Sequence, residues 1–341
     1  MKQFKPHLPA EWEHHSGVLI SWPTKSTDWY DNLVDAEATY VELIKLITLN
    51  NHVYICCYDS DTRQHVQQCC RAVGIPSERF ELFTIPYDDT WTRDYGPISL
   101  VRRNETVWLN FRFNAWGSKY PYQQDNLLTP LLHQQFSQKI ILESINFVLE
   151  GGSIECDGDN TVLTTSVCLL DSARNSNLSK KQIEDRLKSS LGVQRILWLD
   201  HGHIEGDDTD THIDTLARFC SPDTITYVQC RDPIDPHFES LSNMAEQLKS
   251  FTQTNGQPYN LIPLPLPTPC FNKQGQRLPA TYTNFLILNG SVLVPIYGVE
   301  TDTLALAQLQ KCFPKHGVIP VQCRSLLEQF GSLHCITMQI L

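Results

Sequence analysis

Short apolar strands alternate with amphipathic helices, and no linker divides them. That pattern most limits what this 341-residue chain can fold into. Runs such as Val18-Leu19-Ile20, Val53-Tyr54-Ile55 and Val292-Leu293-Val294 are too short for helices and rich in β-branched residues. Strands are therefore expected at 17–22, 52–57, 161–165, 224–228, 285–288 and 291–295. Asp157-Gly158 and Asn289-Gly290 supply hairpin-turn chemistry beside these runs. Residues 35–49 place Ala36, Ala38, Val41, Leu43, Ile44 and Ile47 at helical spacing, and 179–191, 236–251 and 301–313 have the same pattern. Strands and helices recurring at intervals of tens of residues predict an α/β architecture built from one supersecondary unit used repeatedly. One catalytic domain spanning 1–341 is expected. Residues 255–278, with Pro258, Pro263, Pro265, Pro267 and Pro269, read as a long loop placed to cover a pocket.

Composition excludes several classes of function. The formal net charge of -11 removes a general nucleic-acid binder, which needs a basic face for phosphates. No uncharged run is long enough to cross a membrane as a helix, and the N-terminal Met1-Lys2-Gln3-Phe4-Lys5 lacks an apolar signal core. The cytoplasm is the expected compartment. Twelve cysteines would permit disulfides, but they occur as adjacent pairs (Cys56-Cys57, Cys69-Cys70) or singly in apolar runs, and no Cys-x-x-Cys appears. Neighbours on a strand point to opposite faces, so small buried thiols in a reducing compartment are expected.

Four segments carry polar residues with a common chemistry: Trp91-Thr92-Arg93-Asp94, Glu150-Gly151-Gly152-Ser153, His212-Ile213-Asp214 and His334-Cys335. A guanidinium is planar, always protonated and matched by carboxylates, so a dry pocket for it needs two or three acids. Its central carbon is open to a thiolate, and an imidazole can protonate departing ammonia and then activate water. Asp94, Glu150, His212, Asp214 and Cys335 supply that set. Each also has a plainer interpretation. Arg93-Asp94 is a common ion pair, Glu150 a solvated turn residue, and Cys335 a core cysteine. On a strand, His212 and Asp214 would share one face, which could equally be solvent. His334 should point away from Cys335 and so would not be the base.

The order of these motifs resembles the agmatine deiminase family, also called the bacterial peptidylarginine-deiminase-like family, of the pentein or guanidino-group-modifying superfamily. The likeness runs from Leu8-Pro9-Ala10-Glu11-Trp12-Glu13 through Trp91-Thr92-Arg93-Asp94-Tyr95-Gly96-Pro97, Asn110-Phe111-Arg112-Phe113-Asn114-Ala115-Trp116-Gly117 and Glu150-Gly151-Gly152-Ser153-Ile154. It continues to His212-Ile213-Asp214-Thr215 and His334-Cys335-Ile336-Thr337. The resemblance implies a five-bladed α/β propeller of pseudo-repeated ββαβ units around a central active site, with Cys335 at the start of the closing strand. It implies Cys335 as nucleophile, His212 as general acid/base, Asp94 and Asp214 gripping the guanidinium, and Glu150 beside His212. Trp91 and Trp116 would join Asp94, Asp214, Glu150 and Asp208 in binding substrate. The implied reaction is hydrolysis of agmatine to N-carbamoylputrescine and ammonia through a thiouronium intermediate on Cys335. That is a step of polyamine biosynthesis toward putrescine, needing no cofactor and no metal. The partner would be a small guanidino molecule, and a homodimer is among the assemblies the resemblance allows.

Departures bear on the substrate. Glu155 stands where many relatives carry His, Thr211 where agmatine-specific members often have Gly, and the nucleophile segment reads Gly331-Ser332-Leu333-His334-Cys335. Free or peptidyl arginine is therefore the alternative substrate. Glu155, Glu205, Asp207 and Asp208 are the candidates for meeting a distal amine. A separate alternative is a metal-dependent hydrolase using His201 and His203 within Asp200-His201-Gly202-His203-Ile204-Glu205-Gly206-Asp207-Asp208, although its spacing matches no standard zinc site. A guanidine binder without chemistry and an amidinotransferase are further alternatives.

Overall fold

Sixteen strands form five separate sheets in the computed structural model, which describes residues 6–341. The first sheet contains β1 (Gly17–Ser21), β2 (His52–Cys57) and β3 (Phe80–Thr84). Next come β4 (Ile98–Arg102), β5 (Glu105–Arg112) and β6 (Ile141–Val148), then β7 (Ile154–Cys156), β8 (Thr161–Thr165) and β9 (Arg195–Leu199). The fourth sheet holds β10 (Ala217–Ser221), β11 (Thr224–Gln229) and β12 (Asn260–Pro265); the fifth holds β13 (Leu286–Leu288), β14 (Ser291–Ile296) and β15 (Gly317–Gln322). The last strand, β16 (Met338–Ile340), returns to the first sheet and pairs antiparallel with β1, Leu19 opposite Met338.

Every sheet contains an antiparallel pair followed by a parallel third strand, and the first adds β3 as a parallel fourth. A parallel neighbour requires a crossover. The helices Leu33–Ile47, Asp125–Gln135, Lys180–Leu191, Phe238–Ser250 and Asp302–Cys312 supply one each. This is the ring of five ββαβ units expected of a pentein, closed by the β1–β16 pair.

Local chemistry explains the elements. Ser179 and Gln182 form a capping box at the head of Lys180–Leu191, and Gly192 ends that helix with φ 76°. Helix Leu33–Ile47 buries Ala36, Tyr40, Leu43, Ile44 and Ile47 along one stripe. Gly290 takes φ 92° in the tight turn between β13 and β14, as the Asn-Gly pair predicts. The turn between β7 and β8 is held by Asp157, whose carboxylate accepts from the Asp159 and Thr161 amides at 2.7 and 2.8 Å.

Three expectations need correction. Residues 255–278 are not one loop: β12 lies within them, and its Pro263 and Pro265 are tolerated because β12 is an edge strand with β11 on one side only. Nor do these residues cover the main cavity, none of whose lining comes from them. His212-Ile213-Asp214 is not a strand, because His212 caps the single 3-10 turn Ile213–Thr215. Cys335 precedes β16 in a turn and is not its first residue. All twelve cysteines are free thiols.

Candidate active site

The segments that lead from the last strand of one unit to the first strand of the next converge at the hub. The helical turn Thr92–Tyr95 precedes β4, Gly151–Ser153 precedes β7 and Ile213–Thr215 precedes β10; the Gly151–Ser153 turn touches both of the others. Asn284 lies just before β13 and Cys335 just before β16. Asp94, Glu150, His212, Asp214, Asn284 and Cys335 thus occupy corresponding places in five successive units, and all six face the axis region of the ring.

Asp94 is buried and held from three sides. Its Oδ2 accepts from Trp116 Nε1 at 2.9 Å, its Oδ1 accepts from the Gly152 amide at 2.9 Å, and His212 Nδ1 lies 3.5 Å from Oδ1. Gly152 is required by space: a Cβ there would stand 2.7 Å from His212 Nδ1, 2.8 Å from Asp94 Oδ1 and 3.1 Å from Asp214 Oδ2. Trp116 reaches Asp94 from a left-handed stretch in which Ala115, Trp116, Gly117 and Ser118 all have positive φ, a costly conformation kept at a functional position. Asp214 accepts at Oδ2 from Asn284 Nδ2 (3.3 Å) and contacts His334 Nδ1 (2.7 Å), whereas its buried Oδ1 and the buried His212 Nε2 have no partner. Cys335 Sγ donates to Asn284 Oδ1 at 3.4 Å, and the same oxygen accepts from the His334 and Cys335 amides. Glu150 is fully buried and clasped through both oxygens by Arg174 Nε at 2.9 and 3.1 Å. Arg174 is spread further onto Asp210 and the Thr209 carbonyl. Donor atoms of Glu150, His212 and Cys168 lie within 4.8 Å of one another.

Burial governs the proton inventory. It pushes the Asp94 carboxyl well above the usual range, with the charges of Asp214 and Glu150 adding to the effect. Burial likewise raises the Cys335 thiol, reinforced by Asp214 and Asp94. It pulls His212 down to about 3 against the attraction of Asp214. Burial also opposes the charge on Asp214, but the hydrogen bond and charge of His334 overcome it and keep this carboxyl below its ordinary value. Burial thus favours the neutral thiol and imidazole, and of the two aspartates Asp214 is the one held in its charged form. A buried cation reverses each penalty.

A cavity of about 290 Å³ opens onto this cluster. Cys335, Asp94, Trp91, Trp116 and Asp208 line it; Glu150, His212 and Asp214 stand behind that lining. The outer wall adds Asp28, Asp88, Asp89 and Asp125 with Tyr58, Tyr87 and Tyr120, and among the described residues lining the cavity there is no Lys or Arg. Of the four acids considered for a distal amine, only Asp208 reaches the cavity, where its Oδ2 accepts from Tyr120 at 2.9 Å. Glu155 is paired with Arg218 elsewhere, Asp207 accepts from Thr209 and Thr211 within its own loop, and Glu205 lines a separate surface cavity. His201 is exposed and His203 stacks on His237 at 5.4 Å. Neither belongs to a group of three metal-binding donors among the described residues. Asn284 and Arg174 escaped sequence reasoning because no local pattern marks a residue whose partner lies 51 or 24 positions away. The acids and tyrosines of the outer wall belong to no motif either.

The sequence profile of the Porphyromonas-type peptidyl-arginine deiminases matches residues 7–340. Agmatine deiminase of Medicago truncatula is 32% identical over 371 residues, covering 98% of this chain and 96% of the relative. The structure of a cysteine-to-serine variant of C. jejuni agmatine deiminase with substrate bound superposes with a TM-score of 0.91. It is 35% identical and covers 100% of this chain and 97% of that one. A Porphyromonas gingivalis structure, provisionally named an arginine deiminase, gives a TM-score of 0.90 at 43% identity, covering 98% of both chains.

Proposed function

The chain belongs to the Porphyromonas-type peptidyl-arginine deiminase family and is a hydrolase of C–N bonds in linear amidines, and on that premise we propose that its substrate is agmatine. The observation that carries this choice is the acidic, cation-free wall of the cavity. Agmatine has a cation at both ends. Its guanidinium would meet Asp94 and Asp214, and its distal ammonium would meet Asp208 and the neighbouring acids and tyrosines. Arginine would bring a carboxylate to that same wall, where no Lys or Arg among the described residues answers it. The names of the Medicago truncatula and C. jejuni relatives favour the same substrate.

The reaction begins when the guanidinium enters between Asp94 and Asp214, whose free Oδ1 is an open acceptor for its N–H groups. The cation offsets the burial that keeps Asp94 protonated, so Asp94 gives up its proton to solvent as it binds, and the same charge makes the Cys335 thiol easier to ionise. Sγ of Cys335 forms a bond to the guanidinium carbon while the thiol proton passes to neutral His212. Imidazolium His212 then protonates the departing nitrogen, the C–N bond breaks, and ammonia leaves a thiouronium on Sγ. Water attacks that carbon as His212 accepts its proton. The C–S bond breaks as the adduct's hydroxyl proton returns to the thiolate, giving N-carbamoylputrescine and the free thiol, while His212 hands the proton taken from water to ammonia or solvent. Glu150, held by Arg174, stabilises the charged imidazole.

The test is ammonia release from agmatine, arginine and a blocked arginine peptide, with Cys335→Ala as control. Turnover of agmatine alone, lost in C335A, is expected. Turnover of arginine alone replaces the substrate, and turnover that survives C335A removes the covalent mechanism.

A further inference from the structure

Behind the reacting groups lies a second cluster of buried charge that the reaction does not use. Arg93 and His334 are chain neighbours of Asp94 and Cys335, yet they line a different cavity, of about 110 Å³, together with Glu11 and Glu155. The two cavities share no lining residue. Arg218 bonds both Glu155 and Glu11 and donates to the Thr283 and Phe285 carbonyls at 3.0 and 2.8 Å.

His334 connects the two sides. Its Nδ1 lies 2.7 Å from Asp214 Oδ2, and its Nε2 lies 2.9 Å from Glu11 Oε2. A neutral imidazole carries one N–H, which would leave a lone pair facing a buried carboxylate. Only the doubly protonated ring satisfies both contacts. Charge balance agrees: the carboxylates of Glu11, Glu155 and Asp214 are matched by Arg93, Arg218 and an imidazolium at His334. Glu11 is itself fixed, since its Oε1 accepts from the Ile287 amide at 2.8 Å.

We propose that Glu11, far from the substrate, is a positioning residue. Through doubly protonated His334 it keeps Asp214 ionised and turned so that its free Oδ1 faces the guanidinium. The groups facing His334 are Glu11, Asp214, Arg93 and Arg218, with Glu155 within 4.8 Å. Burial and the two guanidiniums pull the ring's pKa below its ordinary value, so the charged form rests on its two direct carboxylate contacts, which oppose them. The proposal rests on Asp214 binding a guanidinium, as argued above, but its first test needs no turnover.

In resting enzyme labelled with ¹⁵N-histidine, both ring nitrogens of His334 (assigned by their loss in His334→Asn) are expected in the protonated range at pH 8. A nitrogen in the unprotonated range there overturns the proposal whatever the substrate is. The second test compares Glu11→Gln with Glu155→Gln, which disturbs the same Arg218 network without touching a hydrogen bond of His334. E11Q should raise KM for agmatine about tenfold and move the acidic limb of kcat/KM up by about one pH unit, because Asp214 loses the neighbouring charge that lowers its pKa. E155Q should leave that limb in place. Equal shifts in both variants, or none in E11Q, would reduce Glu11 to a structural role. Should E11Q not fold, the NMR result decides alone.

Discussion

Gly152→Ala tests how tightly the hub is packed around the reacting carbon. The new methyl would stand 2.7 Å from His212 Nδ1 and 2.8 Å from Asp94 Oδ1, about 0.6 to 0.7 Å inside ordinary contact, with Asp214 Oδ2 at 3.1 Å. Three functional side chains would have to yield together, and none is the far end of a flexible chain. Overpacking of this size costs about 1–3 kcal/mol of stability. Its effect on chemistry should be larger, because misplacing reacting groups by about 1 Å costs about a hundredfold in rate. kcat/KM for agmatine, measured by ammonia release, should fall about a hundredfold while the protein still melts cooperatively. Gly151→Ala is the contrast: its methyl would lie 2.1 Å from the Arg93 carbonyl, so folding should fail before activity can be compared. A G152A enzyme within about threefold of wild type would refute the packing argument.

Trp116→Phe removes the indole donor to Asp94 Oδ2, and leaving that buried oxygen short of a partner should cost about tenfold to a hundredfold in kcat/KM, with little change in melting temperature. An unchanged kcat/KM would mean the bond is incidental. Asp208→Asn should raise KM for agmatine about tenfold and leave kcat nearly unaltered; a loss confined to kcat would remove Asp208 from binding. His212 is buried neutral, its pKa carried from 6.5 down to about 3. Below pH 6.5 the unfolded chain takes up a proton that the folded protein refuses, so this contribution to stability is present above pH 6.5 and lost as pH falls toward 3. Urea unfolding between pH 7 and pH 4 should therefore show a shallower pH dependence in His212→Asn, by up to about 1.4 kcal/mol per pH unit. Superimposable slopes would place His212 in a more polar setting.

Strands of uniform burial, such as β1, β8 and β14, were legible because an apolar run bounded by turn residues has few other ways to fold. β6 was not, since Glu143, Ser144 and Asn146 interrupt a strand that is only half-buried until Phe147. Helix Ser60–Ala72 escaped for a similar reason: it buries only Val66 and Cys70, and most of its other residues are polar. At the candidate site, reactive residue types stand beside glycines and aromatics that show up locally, so Asp94, Glu150, His212 and Cys335 stood out. Their supports did not, because Asn284, Arg174 and Glu11 become meaningful only once five units are brought around one axis. His334 does point away from the thiol, although from a turn and not from the strand expected, and what lies on that other side is Asp214, a contact 120 positions removed.

Pairing of β16 with β1 joins the first strand to be synthesised to one of the last. Until residues 338–340 emerge, β1 waits with one edge unfilled, and the thiol, three residues upstream of that docking strand, lacks the anchor the strand provides. The four other arms of the hub can be assembled by then and still be chemically silent. Activity therefore reports topological completion. A partly made or clipped chain is disarmed by geometry, and restoring the missing strand in trans would be a way to switch the enzyme on.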